Sequence, residues 1–297
     1  KAQVKIERHN LFKAELAVEE SERKRRVDEF LSQNEVKQRV IFGSGFQGYL
    51  YDVIEGKPVY VGFQNDRGAE DVGAWAVRPG GNLGINLTGA GLRLAVWDDG
   101  GTLESHQEFG GRVTNAIDLP PGSSGFHSTH VSGTIAASGV DAEARGMAPN
   151  ANIVVYSSID DIAELSNELT TNPNSMILSN HSYGSYAGWE FINGEWTWFG
   201  DDDVDPTEDW KFGYYLGITS NFDELMYNSP NYLTVFSAGN HREGVGDGSK
   251  PADGPFDSLN PFASNKNGVT VGAVLKLVDG LQYNRSEQVA ISNFSSY

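Results

Sequence analysis

Cysteine is absent from all 297 residues. That excludes disulfide staples, thiolate metal sites and thiol nucleophiles, and it leaves the redox compartment open. Basic charge is scarce: 22 Lys and Arg stand against 40 Asp and Glu, for a net charge of -18. A surface of that sign repels phosphate, so a nucleic-acid partner is excluded, while a salty medium or a cation-binding surface suits it. No apolar run approaches the length of a membrane span, so no membrane partner is expected. Internal repeats and low-complexity tracts are also missing. Lys1 stands first with no apolar signal core and no cleavage motif, as after removal of a targeting segment or in an excised piece.

What is present fits a globular, loop-rich α/β protein: 39% hydrophobic residues and 35 glycines. The length suggests one large domain with a small companion. Residues 1–71 read as that companion. "LFKAELAVEESERKRRVDEFLSQN" carries i,i+4 acid-to-base pairs (Glu19 with Arg23, Glu20 with Lys24, Glu22 with Arg26) and an apolar stripe of Phe12, Leu16, Val27, Phe30 and Leu31, the marks of a helix with one packed edge. "YLYDVI" and "PVYVGF" form a hairpin through Glu55, Gly56 and Lys57. So small a piece buries little core and is expected to dock on the rest. Residues 72–91, rich in Gly, Asn and Pro, read as a linker or surface-hugging segment.

Residues 92–297 alternate strands and helices. "LRLAVW", "NIVVYS", "SMILSN", "LTVFSAG" and "GVTVGAV" are strands; "HSTHVSGTIAAS", "DDIAELSNEL" and "FDELMYN" are helices. This pattern predicts a three-layer α/β fold, a mostly parallel sheet with helices on both faces. Sites in such folds form beyond the carboxyl ends of the strands.

Three strand-end features carry chemistry. "LRLAVW" runs into Asp98 and Asp99 followed by two glycines, so a carboxylate is held where the sheet ends, although an Asp there also caps turns. His127 and His130 share a helix face. A zinc pair would need a third ligand and a nearby acid, and no acid stands between Phe126 and Val140. The small residues Gly125, Ser128, Ser132, Gly133 and Ala136 let that helix approach the sheet and bring His127 to the strand ends. "LTVFSAGN" ends on Asn240, whose amide is able to donate to charge developing on a carbonyl oxygen, or simply to form a turn.

Taken in chain order, "AVWDDGG", "HSTHVSGT" and "FSAGN" resemble the aspartate, histidine and oxyanion-asparagine motifs of the subtilisin-like serine proteases, the subtilases. "GMAPNANIVVY", "LSNHSYG" and "ISNFSSY" extend the resemblance over about residues 82–297. The wording around the aspartate is most like secreted members from Bacteroidetes-type bacteria. The resemblance implies that Asp98 orients His127, that His127 is the general base and then acid, and that Asn240 binds the oxyanion. It implies that Ser182, Tyr183 and Gly184 pair with an extended peptide substrate, that His106 and His130 are structural, and that the protein is secreted. It also implies a folding-assisting, cleft-plugging propeptide in residues 1–71, hence an unprocessed zymogen.

One element is missing. The family's nucleophile lies in a Gly-Thr-Ser motif, and the two Gly-Thr pairs here, Gly101-Thr102 and Gly133-Thr134, precede Leu and Ile. The chain is therefore expected to be inactive alone, truncated before its serine or completed by a second polypeptide carrying it. The alternative is a catalytically dead subtilase-fold module that binds or scaffolds. A metal-dependent hydrolase on His127 and His130 is a third reading. No cofactor is expected for catalysis. Calcium is expected as a structural ion on Asp201, Asp203 and Asp205 of "FGDDDVDPTEDW", hard oxygen ligands at alternating positions. The neighbouring Trp189, Trp196, Trp198 and Trp210 read as packing. Asp99, beside Asp98, is expected to face solvent or a cation.

Overall fold

The structure is a computed structural model that describes residues 18, 21–34, 36, 39–41, 47–54, 56–63, 74–80, 83–116, 119, 125–140, 144–172, 175–192, 194–254, 257–274, 290–292 and 294–297. Its centre is a six-stranded sheet built from β4 (Arg93–Asp98), β5 (Val113–Asn115), β6 (Asn152–Ser157), β7 (Leu178–His181), β11 (Leu233–Ser237) and β12 (Val269–Val271), in the order β12-β11-β7-β4-β6-β5. Every pairing in it is parallel. All the carboxyl ends therefore lie along one edge.

The pleat sorts β4 between two cores. Leu94 and Val96 join Val131, Ile153 and Val155 under α3 (Phe126–Ala136). Ala95 and Trp97 turn the other way, to Ile162 and Leu165 of α4 (Asp161–Thr171) and Phe222 and Leu225 of α5 (Gly217–Asn228). Helices thus cover both faces, which is why β4 reads as an unbroken apolar run instead of an alternating one. Each fully buried side chain of the Leu, Val or Phe kind contributes about 1.5–3 kcal/mol. Among the described residues, no helix is long and apolar enough to cross a membrane.

The N-terminal residues dock on this body as expected. Helix α1 (21–33) is followed by β1 (Arg39–Ile41), β2 (Gln47–Ile54) and β3 (Lys57–Phe63). The anticipated hairpin forms, with Ile54 opposite Lys57. Strand β3 then pairs antiparallel with β8 (Tyr183–Ser185), Gly62 lying opposite Gly184. Val27, Leu50 and Val53 pack with Tyr186, flanked by Phe30, Leu31, Ile192 and Phe199. Three basic residues of α1 reach across to other elements: Arg23 donates to the Ile159 carbonyl at 2.6 Å and to Asp160, Lys24 also meets Asp160, and Arg26 grips Asp52 with two hydrogen bonds, while Arg25 pairs with Glu29 within the helix. Phe12, Leu16, Glu19 and Glu20 lie outside the described residues. Within 72–91 a short helix, α2 (Ala74–Val77), leads into irregular chain with turns.

One hairpin was not anticipated. β9 (Trp189–Ile192) and β10 (Glu195–Trp198) pair with Ile192 opposite Glu195. Their sequence, "WEFINGEWTW", alternates aromatic and polar residues around Asn-Gly, a strong two-residue hairpin signal. Trp189 packs on Trp198 and Phe191 on Trp196, as the packing reading expected.

Candidate active site

Strand register sets the site. Trp97, His181 and Phe236 lie side by side on three adjacent strands, β4, β7 and β11. Their rings stack, with centroids 5.2 Å and 4.5 Å apart, on the face covered by α4 and α5. One residue further, Asp98, Ser182 and Ser237 share the next level, and at Asp98 the alternation turns the side chain to the opposite face, where α3 lies.

Residue His127 stands in the first turn of α3. The helix start is tied to the loop after β4: Gly125 N–H donates to the Gly101 carbonyl at 2.6 Å, and Ser128 Oγ donates to the same carbonyl at 2.7 Å. Ser128, Ser132 and Ala136 are fully buried, so small side chains do let α3 sit close to the sheet. The His127 Nδ1 then lies 2.8 Å from Asp98 Oδ1 and 3.0 Å from Oδ2. Asp98 is wholly buried and His127 is 6% exposed. A carboxylate on Nδ1 fixes the tautomer that leaves Nε2 as the working nitrogen. The Asp99 N–H donates to Asp98 Oδ1 at 2.9 Å, adding to the hold on that carboxylate.

Asp99 is half-buried: its Oδ1 is buried and lies 2.3 Å from where a Cβ on Gly125, at the start of α3, would be. The positive end of the helix dipole favours a carboxylate there. His130 is exposed, with its ring on Phe126. Nothing among the described residues groups it with His127 and a third His, Asp or Glu around a metal position.

At β11 the chain leaves the sheet through Ala238 and Gly239. Gly239 has φ +123°, a conformation open to glycine, and its carbonyl accepts from Ser296 N–H at 2.9 Å. Asn240 follows, half-buried, and starts the short 3-10 turn His241–Glu243. It emerges at the same sheet edge as Asp98.

The strand expected to bind peptide is occupied. Tyr183 and Gly184 belong to β8 and pair with Phe63 and Gly62. Ser182 is buried and accepts a 2.8 Å hydrogen bond from Asn180. Gly184 has no room for a side chain, because the Asn260 amide nitrogen lies 1.3 Å from where its Cβ would stand. Beneath β8 runs a buried chain of polar groups: Ser179 Oγ to His181 Nε2 at 2.6 Å, His181 Nδ1 to Tyr183 Oη at 2.8 Å, and Tyr183 Oη to Asp161 Oδ2 at 2.5 Å. Burial pushes the His181 pKa down to about 3, so the ring is neutral; burial raises Asp161 to about 6, opposed by its Tyr183 hydrogen bond.

In the loop expected to hold calcium, two aspartates accept hydrogen bonds from the local backbone. Asp201 Oδ1 accepts from Asp203 N–H, and Asp205 Oδ1 accepts from Thr207 N–H, Thr207 Oγ1 and Glu208 N–H. These bonds, the Thr207 hydroxyl first, hold the Asp205 pKa below the usual range. Asp201 and Asp205 thus cap turns. Among the described residues, no group of three His, Asp or Glu side chains is placed to hold a metal ion.

A parallel sheet with helices on both faces defines an α/β protein, and the buried carboxylate–imidazole pair at its carboxyl edge is an arrangement able to perform acid–base chemistry. The chain belongs to the subtilase family, whose sequence model, described as "Subtilase family", matches residues 89–297. Among solved structures it is similar to the self-cleaved protease domain of PatA, at 19% identity and TM-score 0.42 over 71% of this chain and 64% of that one. It is also similar to fervidolysin from Fervidobacterium pennivorans, a keratinolytic enzyme related to subtilisin, at 22% identity and TM-score 0.43 over 75% of this chain and 29% of that one. A cold adapted subtilisin-like serine proteinase matches at 23% identity and TM-score 0.38, over 71% of this chain and 61% of that one. The chain thus spans less than two thirds of each of these proteins. No curated protein matched significantly.

Proposed function

We propose that this chain is the acid–base half of a secreted serine endopeptidase that cleaves peptide bonds through an acyl-enzyme. The observation that carries the reading is the buried hydrogen bond between His127 Nδ1 and Asp98 at the carboxyl edge of the sheet. Asp98 keeps the Nδ1–H tautomer and stabilises the imidazolium. His127 Nε2 takes the proton of an attacking serine hydroxyl and later gives it to the leaving amine, and Asn240 donates to the oxyanion. Protein or peptide substrates extend along residues 182–184 by strand addition.

No Gly-Thr-Ser occurs in the 297 residues, so the serine comes from sequence outside them, on the same or a second polypeptide. Residues 1–71 act as a propeptide: β3 lies on the strand a substrate would use, and this supports a zymogen state. Extracellular action follows from the likeness of the motifs to secreted subtilases. The same missing motif favours a second reading, a dead subtilase-fold module that binds extended peptides without cleaving them.

The test is labelling by a serine-directed fluorophosphonate of the protein together with its nucleophile-bearing segment. The protease reading expects labelling that His127→Ala abolishes. Labelling unchanged in that variant removes His127 from the role of base. No labelling at all, with peptide binding retained, selects the binding module.

A further inference from the structure

Outside the Asp98–His127 pair, the described residues hold a second carboxylate–histidine pair. His241 directly follows Asn240. Its ring is 2% exposed, and its Nδ1 lies 3.0 Å from Glu190 Oε1, a residue of β9 in the unanticipated hairpin. The Nε2 has no hydrogen-bond partner among the described residues, and Phe212 packs on the ring at 5.7 Å. The His241 main chain is held as well, its N–H donating to Ser296 Oγ at 3.1 Å, while Ser296 N–H donates to the Gly239 carbonyl. Asn240 is therefore bracketed on both sides by fixed neighbours.

The hairpin holds this turn at more than one point. Next to Glu190, Trp189 N–H donates to Asp253 Oδ2 at 2.7 Å and Trp189 Nε1 donates to the Pro251 carbonyl at 2.9 Å, both in the loop that follows the turn. The hairpin's other side, Ile192 together with Phe199, lies against α1 and β2. One rigid element thus touches the Asn240 turn at its root and the N-terminal residues on its flank.

Resting on the protease reading above, we propose that Glu190 and His241 are positioning residues. They hold the Asn240 amide in donor geometry, so that oxyanion stabilisation depends on the β9–β10 hairpin being seated. A turn with φ +123° at Gly239 has several accessible conformations, and only one aims the amide at the oxyanion. The Glu190 contact from a separate element selects it.

The experiment is a double-mutant cycle on peptide hydrolysis by the protein with its nucleophile-bearing segment, comparing Glu190→Ala, Asn240→Ala and the double variant, with His127→Ala alongside. Asn240→Ala is expected to lower kcat about 10²–10³-fold, the cost of removing an oxyanion-hole amide in subtilisin-type enzymes. Glu190→Ala is expected to lower kcat at least tenfold with KM unchanged, and to cost nothing further once Asn240 is Ala. Glu190→Gln, which keeps an acceptor for Nδ1–H, is expected to recover most of the loss; it also serves if Glu190→Ala does not fold. Equal Glu190→Ala losses with and without Asn240, or a change in KM alone, overturn the positioning role and leave the protease reading standing. Hydrolysis persisting in His127→Ala overturns both.

Discussion

At the scale of single residues, the site separates groups that perform chemistry from groups that hold them. In the proposed protease, replacement of Asp98 by Asn is expected to cost about 10⁴-fold in turnover with geometry intact, because an amide selects the wrong imidazole tautomer. Steady-state kinetics of Asp98→Asn beside a near-UV circular dichroism spectrum check this. Asp253 offers a second, independent test. Burial, with Glu190 and Asp209 nearby, pushes its carboxyl up to about 8, and its Oδ1 meets no donor among the described residues. Its folded pKa lies above the unfolded one of about 3.9. The folded state therefore binds more protons in between, and stability from this group is lost as pH rises through that window. Asp161, raised to about 6, acts in the same direction lower down; His181, depressed to about 3, acts oppositely below pH 6.5, where its stabilisation fades as pH falls. Between about pH 6.5 and 8 Asp253 is alone among these three, so Asp253→Asn is expected to flatten the decline of Tm across that interval. An unchanged slope in thermal melts contradicts the assignment.

Elements decide access. Strand β8 is shared between the body and the N-terminal hairpin, and its central Gly184 fits only because it lacks a Cβ against Asn260. Asn260 is itself fixed, buried and accepting from Phe262 N–H at 3.0 Å, so it yields poorly. Gly184→Ala is expected to destabilise the protein by about 1–3 kcal/mol, the range for overpacking a tight site, measured by urea unfolding. Gly62→Pro acts from the other side, removing a strand N–H opposite Gly184. It is expected to raise amide hydrogen exchange across residues 183–185 while leaving β4 and β6 protected. Equal protection in β8 means that β3 does not cover it in solution. The hairpin β9–β10 was readable from its Asn-Gly turn and alternating aromatics, but nothing in its sequence says that Glu190 meets His241, 51 residues away.

For the whole molecule, charge is the dominant global quantity. A net charge of -18 makes the compact state repel itself, and added salt screens that repulsion. Tm is expected to rise between 0.01 and 0.5 M NaCl, where the Debye length shrinks from about 30 Å to less than 10 Å. A flat response would place the acids in compensated local pairs, as Asp160 is with Arg23 and Lys24, and Asp52 with Arg26. Of those contacts, the ones from Arg23 and Lys24 to Asp160 tie α1 to the body.

The sequence by itself determined the sheet, because parallel strands buried on both faces must be apolar throughout, and "LRLAVW" and "NIVVYS" are nearly so. It also placed Asp98, His127 and Asn240 at element ends, because Gly-Gly, a small-residue helix and Ala-Gly mark those ends locally. Only the tertiary structure decided which partners met: Asp98 with His127, β3 on β8, Glu190 on His241. It also set the Asp99 carboxylate against Gly125, and the Asp201 and Asp205 carboxylates on nearby backbone N–H groups. The physical reason is one of range. Backbone propensity and side-chain period act over a few residues and are written in the local sequence. Hydrogen bonds between distant elements depend on strand register and the pleat, which carry a side chain to one face or the other only after the sheet has formed.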